Sequence, residues 1–193
     1  MAEVSRVRPE HRFDEIALDE YLSQNLPGFS KNHGGLTVLQ YSSGQSNPTF
    51  YLSKNGKEFV LRKKPPGKLL RGAHQVDREY RILSALHSVS FPVPKPYLYC
   101  KDVSVIGTEF YIMEHVTGCV FRKPSLPNQS TDERRAIYNA MITTLAKLHS
   151  INWNNLGLSD FGLHTNYLRR QVSNVEKAVQ SIQKLNGLVQ WKI

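Results

Sequence analysis

The sequence predicts an α+β fold, and two observations carry the prediction. Strand-forming segments are confined to the first 118 residues and come in runs of three and two; after them only helical patterns remain. Elements segregated in this way build an antiparallel sheet with helices gathered beside it, because a parallel sheet needs strands and helices to alternate.

Asp14 to Gln24 reads as a short helix with Ile16, Leu18, Tyr21 and Leu22 as its apolar residues. Pro27 and Gly28 break the chain. Leu36 to Tyr41 is β-rich, a small polar loop runs from Ser42 to Pro48, and Thr49 to Leu52 re-enters a strand. Asn55-Gly56 is the pair that tight hairpins favour, so Glu58 to Arg62 is the return strand and the three form a meander. Lys63 to Gly72, with two prolines and two glycines, is a loop. His74 to His87 is a helix whose apolar side is Val76, Tyr80, Leu83 and Leu86. Three prolines keep Phe91 to Pro96 extended. Strands follow at Tyr97 to Lys101 and Thr108 to His115, joined through Gly107, with Gly118 ending the second. Ser130 opens the next helix with Glu133 three residues on, the spacing of a capping box. Its stripe is Ile137, Met141, Leu145 and Leu148; a last helix carries Leu168, Val172, Val175, Val179 and Ile182. That gives five strands. There is no internal repeat.

Composition narrows the function classes. A chain of 193 residues with 40 % hydrophobic residues can bury a core. Its net charge is +9, and seven basic residues lie between Arg62 and Arg81 against two acids, Asp77 and Glu79. Such a region suits a phosphate-bearing ligand, a nucleotide or a CoA ester, with solvated surface charge as the plain alternative. A nucleic-acid partner is disfavoured, because the aromatics do not interleave with the basic run. Two cysteines, Cys100 and Cys119, make neither a disulfide scaffold nor a zinc pattern, and fit an intracellular setting. No apolar run is long enough to span a membrane. The first residues lack a signal core, their early acids argue against a mitochondrial leader, and the last three are not a peroxisomal Ser-Lys-Leu.

Binding a nucleoside triphosphate calls for close backbone approach to phosphates and a cation held by an acid. Gly44 allows the approach, and Ser43, Ser46 and Asn47 could donate hydrogen bonds, although neither a Walker motif nor a full G-x-G-x-x-G is present. Taken alone, the loop is better read as an ordinary β-turn. Arg62 closes the third strand, where protein kinases place a lysine, and would bind phosphate through a fork. Glu79 on the next helix could pair with it; a plain surface pair would contribute under about 1 kcal/mol. The exit of the fifth strand, Glu114 to Val116, is where backbone groups could face a base; a buried strand with an exposed end is the bland alternative. Asp160-Phe161-Gly162 spells a kinase metal motif but follows no H-R-D loop, so it is not taken as a metal site. His33, His74, His87, His115, His149 and His164 show no metal-ligand spacing. The expectation is no catalytic and no metal-binding residue in this chain.

Taken in order, Tyr41 to Leu52, Phe59 to Gly67, Phe91 to Pro96 and Phe110 to Glu114 resemble the aminoglycoside-phosphotransferase-like domain of kinase-like fold. Within it they are most similar to the N-terminal domain of acyl-CoA dehydrogenase family members ten and eleven. The resemblance covers roughly residues 10 to 170. It implies a lead-in over 1–35, a nucleotide-binding lobe and hinge over 36–118, the first helices of an incomplete helical lobe over 119–185, and a divergent tail over 186–193. It implies ATP and Mg²⁺ as cofactors of the parent domain, with FAD confined to a separate dehydrogenase domain. The parent would phosphorylate 4-hydroxyacyl-CoA esters in mitochondrial or peroxisomal fatty-acid breakdown. Gly44 and its neighbours match the phosphate loop, Arg62 the strand cation, Glu79 its partner, and Glu114 to Val116 the hinge. The family's His-Gly-Asp catalytic segment is absent from this sequence. A truncated chain, a fragment or splice product, is therefore expected to be inactive alone. The alternative is an inactive nucleotide- or CoA-ester-binding fragment of an acyl-CoA dehydrogenase family protein. A truncated chain should also leave the apolar stripe of its last helix exposed.

Overall fold

The computed structural model describes residues 3–29, 34–42, 47–67, 74–162 and 165–188. Two compact units divide it, Met1–Ile151 and Asn152–Ile193. Six strands form one antiparallel sheet in the first unit: β1 (Val4–Ser5), β2 (Thr37–Tyr41), β3 (Thr49–Lys54), β4 (Lys57–Lys63), β5 (Pro96–Cys100) and β6 (Phe110–Glu114), in the order β1-β2-β3-β4-β6-β5. The five expected strands are present. The sixth, β1, is only two residues long and pairs with Tyr41 and Gln40, too short to leave a periodic pattern in the sequence. Asn55 and Gly56, both at positive φ, make the tight turn between β3 and β4.

The sheet has two differently used faces. Phe50, Leu52, Phe59, Leu61, Phe110 and Ile112 alternate onto one face and are buried. Helix α1 (Glu15–Asn25) supplies Leu18 and Leu22 to the same core, and the four-residue helix α3 (Val103–Ile106) adds Ile106. Ile16, expected on the apolar side of α1, is 77 % exposed. Asp14 caps α1 by accepting from the N–H groups of Ile16 and Ala17. Gln40, 2 % exposed on this face, ties the N-terminal segment down: its Oε1 accepts from the Arg8 N–H and its Nε2 meets His11 Nδ1 at 2.7 Å. After the core comes Gly28, at φ 76°, against which Lys57 Nζ lies; a Cβ there would sit 2.4 Å from that nitrogen.

The opposite face carries helix α2 (Val76–Ser88), whose Tyr80 stacks on Tyr99 and tilts against Tyr111. Helix α4 (Thr131–His149) is opened by the expected capping box, Ser130 with Glu133. None of its residues is buried. In the second unit, a short 3-10 turn at Trp153–Leu156 precedes helix α5 (Tyr167–Leu188). Leu168, Val172, Val175 and Val179 of its stripe are all exposed, as the sequence predicted.

Candidate functional site

The face of the sheet away from the core is lined by a different set of side chains, because each strand alternates. Thr49 and Tyr51 on β3, Val60 and Arg62 on β4 and Met113 on β6 line a cavity of about 800 Å³, together with Tyr41 and the segment Glu114 to Val120 that follows β6. Tyr51 pairs with Val60, and Val60 with Met113, so the three form one cross-strand row under the cavity.

Arg62 stands at the inner end of this wall. Its Nε lies 2.7 Å from Glu79 Oε2 on α2, and a second guanidinium nitrogen reaches Glu79 Oε1 at 3.4 Å. The Nε–H is not aimed at a hydrogen-bond acceptor, so the contact is an ion pair more than an aligned hydrogen bond. The strand cation and the helix acid that the sequence separates by seventeen residues thus meet. Glu79 is also held by two further donors: Asn47 Nδ2 gives to Oε1 at 2.8 Å and the Tyr111 hydroxyl to Oε2 at 3.1 Å. Burial, reinforced by the nearby Glu79 carboxylate, pushes the Tyr111 hydroxyl well above the usual tyrosine range, so it remains a donor.

Asn47 is tied into the protein by its own contacts. It is 4 % exposed, and both ends of its amide are engaged, by Glu79 and by His74. Its side chain links the start of β3 to Glu79 of α2 and to His74 before it. Ser43, Gly44 and Ser46, the rest of the expected phosphate loop, lie outside the described residues.

Two lysines of the basic run are engaged away from the cavity. Lys64 Nζ pairs with Glu109 at 2.8 Å. That hydrogen bond, and then one from Tyr99, hold the Glu109 carboxyl below the usual range. Lys63 is buried on the core face beneath the Phe13 ring, and desolvation lowers its pKa. Among the described basic residues of this strand end, Arg62 alone lines the cavity. Lys68 and Arg71 lie outside the described residues.

At the other end of the cavity, the Glu114 N–H donates to the Lys95 carbonyl, and its carboxylate accepts from the Lys95 N–H. Val116 is 60 % exposed, and no backbone group among the described residues pairs with it. Val116 lines the same cavity. His115 is turned to Glu58 at 2.9 Å and packs edge-on against Tyr51, which also donates to Glu58. The two hydrogen bonds, Tyr51 first and His115 second, lower the Glu58 pKa. Neither this cluster nor the Tyr111 and His74 contacts were read from the sequence. Tyr111 could have been, since it alternates with Met113 on one strand face; His74 left no such signal.

Among the described residues, no group of three His, Cys, Asp or Glu side chains could hold a metal ion. No helix among them is long and apolar enough to cross a membrane.

A profile of the phosphotransferase enzyme family matches residues 37–191, most of the chain. The chain belongs to that family. This phosphotransferase-family chain is 53 % identical over 191 residues to acyl-CoA dehydrogenase family member 11 of Rattus norvegicus and 54 % over 193 residues to that of Gallus gallus. The matches cover 96 % and 97 % of this chain but 24 % and 25 % of those proteins. It therefore spans about a quarter of its relatives' length, in their N-terminal portion. A crystal structure from Ralstonia eutropha JMP134, titled as that of a putative aminoglycoside phosphotransferase, superposes with a TM-score of 0.71 at 42 % identity, over 86 % of this chain and 47 % of that one. The kinase-like fold expected from the sequence is therefore the fold observed.

Proposed function

We propose that this chain is the nucleotide-binding part of an ATP- and Mg²⁺-dependent small-molecule phosphotransferase, and that it binds ATP without appreciable turnover by itself. The observation that carries the reading is the Arg62–Glu79 pair, with Arg62 lining a cavity of about 800 Å³ that Val116 also lines. A guanidinium held by a carboxylate presents its remaining N–H groups in a fixed fork, suited to phosphate oxygens. Val60, Tyr51 and Met113 would cover a base, and the Val116 backbone would read its edge. Those residues bind and orient. They do not supply a base for an attacking hydroxyl, and the sequence contains no His-Gly-Asp.

The whole-protein reading rests on the relatives. Their name, acyl-CoA dehydrogenase family member 11, supports a longer protein that joins this domain to an acyl-CoA dehydrogenase; we further propose FAD as the cofactor of that second domain and a 4-hydroxyacyl-CoA ester as the phosphorylated substrate, in peroxisomal or mitochondrial fatty-acid breakdown. A second reading, a nucleotide- or CoA-ester-binding module without catalysis, is favoured by the same missing motif.

Calorimetry of the chain with ATP, with and without Mg²⁺, tests the proposal against an Arg62→Ala variant. Binding that weakens by about tenfold or more in the variant is expected, since a charge-assisted contact is worth about 1.5–3 kcal/mol. A folded chain that takes no ATP would sink the nucleotide reading.

A further inference from the structure

We propose that His74 and Asn47 form a positioning relay that sets the orientation of Arg62 toward phosphate; the inference rests on the nucleotide reading of the site. The relay is continuous. His74 Nδ1 lies 2.8 Å from Asn47 Oδ1, Asn47 Nδ2 lies 2.8 Å from Glu79 Oε1, and Glu79 Oε2 lies 2.7 Å from Arg62 Nε.

Chemistry fixes its direction. The Asn47 Nδ2 group must donate, because Glu79 as a carboxylate can only accept. The Oδ1 atom then faces His74 and can only accept, so His74 Nδ1 carries the proton. An amide turned the other way would set a carbonyl oxygen against the Glu79 carboxylate. His74 thus selects the amide orientation, and the amide holds Oε1 while Tyr111 holds Oε2. With both oxygens fixed, the carboxylate has one rotamer and Arg62 has one place to dock.

The backbone supports a role for this side chain. His74 sits at φ 56°, the left-handed region that few residues with a Cβ adopt, immediately before the N-cap of α2. Asn47 follows the loop 43–46, and its carbonyl accepts from the Thr49 hydroxyl. The relay therefore ties the end of that loop, the start of α2 and the cation of β4 into one unit.

The test uses two variants of the 193-residue chain. His74→Asn places an amide nitrogen where Nδ1 stands and tolerates the backbone conformation. His74→Gly relaxes the backbone but removes the donor. Mg-ATP affinity is read by calorimetry, and the Asn47 side-chain amide and Arg62 Nε–H signals by NMR without ligand. The expected result is about threefold to tenfold weaker binding and shifted signals in the Gly variant, with the Asn variant close to wild type. A Gly variant with wild-type affinity and unmoved signals overturns the relay, as does equal weakening in both variants. If the wild-type chain takes no ATP, the nucleotide reading falls by itself; the ligand-free signals still decide the relay, which unmoved signals in the Gly variant overturn.

Discussion

Lys54 is buried against a carboxylate partner, Asp19. The lysine side chain is 1 % exposed, and its Nζ contacts both Asp19 oxygens, at 2.6 and 2.8 Å, over the face of Phe29. Removing one partner of a buried pair leaves the other uncompensated, at a cost of about 3–5 kcal/mol. Asp19→Ala should lower unfolding stability by that order in urea, and Asp19→Leu with Lys54→Met should recover most of it. A single variant as stable as wild type would refute the argument. Glu109 gives a pH-dependent counterpart. Hydrogen bonds from Lys64 and then Tyr99 hold its carboxyl below the usual glutamate range. Its contribution is complete above the unfolded value and is lost as pH falls through the folded one. Wild type should therefore exceed Glu109→Gln in stability at neutral pH, with the gap closing in urea titrations as pH falls below the usual glutamate range. A constant gap would show that the ionised carboxylate is not the stabilising form. At this scale the sequence revealed Arg62 and Glu79 because strand-end cation and helix acid have a characteristic order. It hid the contacts of Asn47 with Glu79 and His74, which join residues far apart in the chain.

At the scale of elements, the sheet was legible where the pattern had length. The β3–β4 hairpin follows from Asn55-Gly56 and the flanking alternation, and it sets the register that places Val60 and Arg62 on the cavity side and Leu61 on the core side. Helix α1 was legible as a helix but not in its face: Ile16 is exposed, while Leu18 and Leu22, four apart, enter the core. Short elements were hidden, β1 because two residues carry no period and α3 because four residues make barely one turn. The burial of α1 gives a direct expectation. Leu22 is 0 % exposed among Leu18, Phe110 and the other core residues, so Leu22→Ala should cost about 2–5 kcal/mol in thermal or urea unfolding. A loss under about 1 kcal/mol would mean that α1 is not part of the cooperative core.

The two units of the molecule differ in what holds them. In the first, the six strands share one buried core, so amides at Leu52, Leu61 and Ile112 can exchange only when that core opens. In the second, α5 runs for 22 residues with Leu168, Val172, Val175 and Val179 exposed. A helix in a protein draws most of its stability from packing its apolar face, and these residues of α5 have no such packing. The sequence showed the stripe from its four-three spacing, but spacing reports which residues share a face and not whether anything covers it. Hydrogen exchange on the 193-residue chain should find the β3, β4 and β6 amides protected to the level of global unfolding. The α5 amides should exchange orders of magnitude faster. Equal protection in both would mean that α5 folds and unfolds with the sheet, its stripe covered in solution by a contact such as self-association. Dilution separates that case, because α5 protection that rests on a second copy falls as the protein concentration falls.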